Sequence, residues 1–171
     1  MHRNYLFIGV FYLLISGCGT FGTSAPTPAE PSAARTRPIP LSPRPDRSEA
    51  LLQALLALGL DYRYGGNSPV TGFDCSGLVA HVYLEAWSIR LPHNAAAQSR
   101  VGVPVSLAEL QAGDLVFYDT LKRPFSHVGI YLGDNKFVHA PKSGAQVRIE
   151  SLRSAYWAQR FNGARRIEPP L

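Results

Sequence analysis

The chain has 171 residues, a formal net charge of +5 and two cysteines. That length holds one ordinary domain with extensions and excludes two full ones. The positive charge is modest and lies on separated arginines with no recognition motif behind them, so no nucleic-acid partner is expected.

In chain order, Met1 to Gly17 reads as an export signal. His2 and Arg3 form a short n-region, and Tyr5 through Ile15 an apolar stretch too short to span a bilayer comfortably. The ending Leu14-Ile15-Ser16-Gly17-Cys18 resembles a bacterial lipobox, in which the cysteine takes the lipid. Cys18 would then be a lipidated N-terminus, a membrane anchor unable to pair with Cys75; plain cleavage nearby, with Cys18 incidental, is the alternative. Gly19 rather than an aspartate follows it, and resemblance to enterobacterial lipoproteins then implies the outer membrane, with the protein facing the periplasm. Residues 18–47 carry seven of the chain's 14 prolines among Ser, Thr, Ala and Arg. Such a stretch buries too little surface to fold and reads as an extended spacer of ~3.1 Å per residue. Arg35, Arg37, Arg44 and Arg47 are expected to keep it solvated.

The folded domain is expected over residues 48–171. Ser48 is a plausible N-cap, and Leu51, Leu52, Leu55, Leu56 and Leu58 would make the packing face of a first helix ending at Gly59. Asp61 to Gly66 reads as a short extended piece breaking into a glycine turn, and Asn67 to Gly72 as a polar loop. Asp74 is an N-cap candidate, which places Cys75 in the first turn of a helix whose Leu78, Val79, Val82, Tyr83 and Ala86 repeat at helical spacing. Unpaired amides and the helix dipole there favour negative charge, so the thiol is expected to ionise more easily than usual. A buried structural cysteine is the alternative.

Leu91-Pro92-His93 breaks the chain, Asn94 to Ser99 is a short helical candidate, and Ser106 to Glu109 has capping-box spacing. From Asp114 the pattern turns to strands: Asp114 to Tyr118, His127 to Leu132, Lys136 to His139, Gln146 to Glu150 and Phe161 to Ile167, with a short helical connection over Ser151 to Arg160. Helices first and antiparallel strands after imply an α+β domain. Arg148, Arg153, Arg160, Arg165 and Arg166 are expected on a solvated face.

A cysteine nucleophile needs a base and a group to orient it. His81 lies on the far side of the Cys75 helix and His93 in a turn. His127 and His139 fall on consecutive strands. A three-residue loop Gly133-Asp134-Asn135 would set Leu132 against Lys136, Ile130 against Val138 and Gly129 against His139. Val128, Ile130, Leu132 and Val138 then share an apolar face, and the two histidines become diagonal neighbours on the other, ~7–8 Å apart at the backbone. A two-residue loop would put them on opposite faces. Gly129 would leave space beside His139. A zinc site using Cys75 and both histidines lacks the usual ligand spacing, and no metal is expected.

Tyr62-Arg63-Tyr64-Gly65-Gly66, Phe73-Asp74-Cys75-Ser76-Gly77-Leu78-Val79, Gln111 to Phe117, His127-Val128-Gly129-Ile130-Tyr131-Leu132-Gly133 and Phe137-Val138-His139-Ala140 resemble the NlpC-type cell-wall peptidases, a bacterial branch of the papain-like cysteine peptidases. The likeness covers the folded part and is greatest to single-domain lipoprotein members. It implies a nucleophile-bearing helix on a central antiparallel sheet and hydrolysis of amide bonds in peptidoglycan peptides, at the D-alanyl–diaminopimelate cross-link or the D-glutamyl–diaminopimelate stem bond. Cys75 is then the nucleophile, His127 the base, His139 its orienter and Tyr62 an oxyanion donor; Asp74, Ser76 and His93 are taken as substrate contacts. No cofactor is implied, and a monomer is expected. Leu91-Pro92-His93-Asn94 departs from the family's usual Leu-Pro-Arg followed by Ser or Thr, and His93 is either a substrate contact or a turn histidine without a role. An acyltransferase or amidase on the same fold, or a catalytically silent murein-binding lipoprotein, are the other functions open to this sequence.

Overall fold

The computed structural model describes residues 46–170, so the export signal, Cys18 and all but the last two residues of the proline-rich stretch lie outside the described residues. The first helix, α1, spans Arg47–Leu56 and is capped by Asp46, whose carboxylate accepts from the Ser48 amide at 2.7 Å. Ser48 is thus inside the helix rather than its cap. The leucines do not form the packing face either: Ala50 and Ala54 are fully buried, while Leu52 and Leu56 are 56% and 66% exposed. Helix α2, Cys75–Trp87, packs against α1, and small side chains at that contact let two helix axes approach closely.

A small hairpin of β1 (Asn67–Ser68) and β2 (Gly72–Phe73) replaces the expected polar loop and leads into α2. Helix α3 (Ala95–Gln98) follows, capped by Asn94, and then a strand not anticipated from sequence, β3 (Val103–Val105). The turn Leu107–Glu109 is a 3₁₀ turn in which the Glu109 carboxylate accepts from the Ser106 hydroxyl at 2.6 Å and its amide at 3.4 Å. The remaining elements are β4 (Leu115–Tyr118), β5 (His127–Gly133), β6 (Lys136–His139), β7 (Arg148–Ser151), α4 (Ala155–Ala158) and β8 (Phe161–Arg166). Six strands form one antiparallel sheet in the order β3-β8-β4-β5-β6-β7.

Alternation along the strands sorts the core into two layers. Leu115, Phe117, Val128, Ile130 and Val138 face α1 and α2, together with Leu78, Val79, Val82 and Tyr83. Val116, Tyr118, Tyr131 and Phe137 face the other way, against Leu152 and Trp157. Each fully buried apolar side chain of this size contributes about 1.5–3 kcal/mol. Tyr83 adds a tie from α2 to the sheet, its hydroxyl donating to the Gly113 carbonyl at 2.6 Å.

The β5–β6 hairpin keeps the expected register by a different route. Ile130 opposes Val138 and Tyr131 opposes Phe137, but Gly133 rather than Leu132 opposes Lys136. The turn is two residues, Asp134 and Asn135, with φ of 49° and 57°, both in the left-handed region that short polar side chains tolerate. Leu132 is the extra residue of a bulge, and the bulge offsets the one-residue slip that the shorter turn alone would introduce. Gly129 is needed for Phe137 rather than for His139: a Cβ there would lie 2.6 Å from the Phe137 ring and 2.8 Å from the Val138 carbonyl.

Two of the arginines expected in solvent are instead structural. Asp114 is fully buried and accepts from Arg166 Nε at 2.9 Å, Arg166 Nη2 at 2.8 Å, Arg47 Nη1 at 3.1 Å and the Gln111 amide at 2.8 Å. This cluster joins the first residue of α1, the start of β4 and the end of β8.

Candidate active site

Residues that precede α2 shape its start. The Asp74 carboxylate accepts from the Gly77 amide at 2.7 Å and the Ser76 hydroxyl at 3.0 Å through Oδ1, and from the Gly65 amide at 3.0 Å through Oδ2. His93 Nε2 lies 2.9 Å from the same Oδ1, so with an ionised carboxylate that nitrogen carries the proton. Gly77 has no room for a side chain, since a Cβ would lie 2.0 Å from the Gly66 carbonyl oxygen. Gln98, fully buried on α3, donates from Nε2 to the carbonyls of Ser76 at 2.9 Å and Pro92 at 2.8 Å, clamping the helix start to the turn that carries His93.

Cys75 is therefore the first residue of a rigidly capped helix. It lines a cavity of about 330 Å³ with Tyr62, Asp74, Ser76 and His93, closed on another side by Leu121, Arg123 and Ser126. Its thiol faces the amides of Val128, Ser76 and its own residue, which favour the thiolate. Burial and then the Asp74 carboxylate act more strongly in the opposite direction and push the thiol up to about 11. Desolvation and Asp74 thus oppose the ionisation expected from the helix N-terminus. Tyr62 is raised as well, first by burial and then by the charges of Cys75 and Asp74.

His127 opens β5, one residue before the amide that faces the thiol. The ring is buried, and its Nε2 lies 2.8 Å from His139 Nδ1, with the two imidazoles perpendicular. That leaves His127 Nδ1 as the ring nitrogen available to a thiol. No hydrogen bond joins the Cys75 sulfur to this ring among the described residues. Burial, and then His139, push His127 down to about 3; burial, and then Arg148, do the same for His139. Both imidazoles are therefore neutral near pH 7. Trp157, on the short helix α4, stacks on His127 at 5.5 Å and 24°, and meets His139 edge-on at 4.9 Å.

The structure brings Tyr62, Asp74, Cys75, Ser76 and His93 to one cavity and sets His127 and His139 against each other beside it. Two of the expected substrate contacts are otherwise engaged. Ser76 is buried with its hydroxyl on Asp74, and both Asp74 oxygens are occupied by protein donors. His93 remains at the cavity, paired to Asp74. Trp157, Glu150 and Gln98 were not anticipated, because no local motif marks them; only the sheet register and the α3 turn bring them near the site. The arrangement presents a thiol with amide donors around it and a neutral base whose far nitrogen is already engaged, a set suited to acyl transfer through a thioester.

Known proteins are similar to this chain in sequence and fold. The murein DD-endopeptidase MepH of Escherichia coli is 42% identical over 124 residues, covering 71% of this chain and 46% of that protein. The gamma-DL-glutamyl hydrolase of Bacillus subtilis is 40% identical over 112 residues, covering 65% of this chain and 27% of that one. The chain thus spans less than half the length of either relative. A crystal structure of an NlpC/P60 family protein from Bacillus cereus superposes with a TM-score of 0.67 at 35% identity, over 72% of this chain and 41% of that one, which makes the fold α+β and papain-like. The model of the NlpC/P60 family matches residues 59–166, and the chain belongs to that family.

Proposed function

We propose that this protein is a peptidoglycan endopeptidase that cuts an amide bond of the stem or cross-link peptides by thiol chemistry. The observation that carries the reading is Cys75 at the capped start of α2, in a cavity beside a buried, neutral His127 whose Nε2 contacts His139. In the proposed reaction Cys75 Sγ attacks the carbonyl carbon as its proton passes to His127 Nδ1. The Cys75 amide and Tyr62 hydroxyl donate to the oxyanion. The C–N bond breaks as His127 returns the proton to the leaving amine. Water, deprotonated by His127, then hydrolyses the thioester and restores the thiol. The relative named a murein DD-endopeptidase supports a peptidoglycan substrate, and D-alanyl–diaminopimelate and D-glutamyl–diaminopimelate are the two candidate bonds.

Purified sacculi digested under reducing conditions should release fragments with the wild-type protein and none with Cys75→Ala, and the muropeptide masses name the bond. Intact sacculi in both digests contradict the peptidase reading, and equal cutting by both contradicts the nucleophile. Residues 1–18 support a lipid anchor on Cys18 at the outer membrane, with the domain facing the periplasm. Fatty-acid labelling should vanish in Cys18→Ser; persistent labelling contradicts the anchor. The protein is read as acting as a monomer, which a light-scattering mass of two chains would refute.

A further inference from the structure

His139 is fully buried and uses only one of its ring nitrogens: Nδ1 meets His127 Nε2 at 2.8 Å, and Nε2 has no hydrogen-bond partner. The carboxylate facing that unpartnered nitrogen belongs to Glu150, with Oε1 at 3.8 Å. Glu150 lies on β7, directly opposite Phe137 of β6, so sheet register brings it there. Its position is held from two other sides. Trp157 Nε1 donates to Oε2 at 2.6 Å, and Arg148 Nε donates to Oε1 at 2.6 Å. The same Trp157 stacks on His127, so one carboxylate both anchors the aromatic wall of the pair and faces its outer nitrogen.

Proton positions give that geometry a consequence. If His127 Nδ1 is to accept the thiol proton, the neutral ring must carry its hydrogen on Nε2 and donate it to His139 Nδ1. His139 Nδ1 must then be a bare acceptor, which a neutral imidazole allows only when its hydrogen sits on Nε2. A separation of 3.8 Å exceeds a hydrogen bond, but toward a fully buried imidazole a carboxylate at that range, itself a quarter exposed, still favours an N–H over a lone pair pointing at it. With the tautomer reversed, two N–H groups would face each other across 2.8 Å.

We propose that Glu150 is a positioning residue that holds His139 as its Nε2–H tautomer and so keeps His127 oriented as a base. The proposal rests on the Cys75–His127–His139 reading above and adds to it a fourth, outer group.

The test combines histidine-selective ¹⁵N spectra with kinetics on a muropeptide. In the wild-type protein His139 should be the Nε2–H tautomer; finding Nδ1–H overturns the proposal with no variant needed. Glu150→Gln, which keeps the size and removes the charge, should shift His139 toward a mixture. It should also lower kcat about tenfold with KM within about twofold. In a His139→Asn background, where the amide oxygen accepts from His127 and has no tautomer to set, adding Glu150→Gln should cost no more than about twofold further. An unchanged tautomer, or the same loss in both backgrounds, makes Glu150 only an anchor for Trp157 and overturns the proposal. Failure of the peptidase reading is separate: it shows as a wild-type protein that cuts nothing, while the tautomer remains readable.

Discussion

Replacing His127 with alanine is expected to slow hydrolysis by about 10³- to 10⁴-fold at neutral pH and to leave a residual rate that climbs about tenfold per pH unit. Burial and Asp74 push the Cys75 thiol up to about 11. Without a base, only about one thiol in 10⁴ is ionised at pH 7, and each unit of pH multiplies that fraction by about ten until the thiol titrates. With His127 present, the proton moves as the C–S bond forms. Transfer before substrate binds is uphill, because burial pushes His127 down to about 3. Steady-state rates of the variant from pH 6 to 9 check this. A residual rate independent of pH would mean that another group takes the proton.

The largest expected effect on stability is at Asp114. Asp114→Ala removes a fully buried carboxylate that accepts from Arg47, Arg166 and the Gln111 amide. Breaking a buried pair from one side costs about 3–5 kcal/mol. Both guanidiniums keep some access to water, so the lower end is expected, about 3 kcal/mol by urea unfolding. A loss below about 1 kcal/mol would place this cluster with ordinary surface ion pairs.

Much of the site's framework is legible in sequence because local rules govern it. An aspartate before an apolar helical run specifies where α2 begins, and two-residue alternation on β5 and β6 specifies which side chains share a face. Only one register keeps Val128, Ile130 and Val138 together, so the histidines are neighbours whether the turn holds three residues or two with a bulge beside it. The bulge at Leu132 is not legible in sequence because an extra residue in a strand has the same local pattern as a longer loop. Other features depend on contacts that spacing does not encode. Helical periodicity marks the leucines of α1 as apolar, but the close approach of α2 selects Ala50 and Ala54 for burial. Arg47 and Arg166 look solvated in sequence, and only the fold shows that they meet at Asp114. Glu150 and Trp157 carry no motif and reach the histidines through the β6–β7 register and the α4 turn. The surroundings of the thiol also needed the structure, since burial and then Asp74 oppose what a helix N-terminus alone would do.

The central chemical claim is that Cys75 rests as a thiol and His127 as a neutral imidazole, and that the proton moves only as substrate is attacked. Ultraviolet difference absorbance between the wild-type protein and Cys75→Ala reports the thiolate directly and cancels the contribution of Cys18. From pH 5 to 8 no Cys75 thiolate signal should appear, with absorbance rising only as the solution becomes strongly alkaline. A full thiolate signal already present at pH 6 would show a standing thiolate–imidazolium pair and contradict the account.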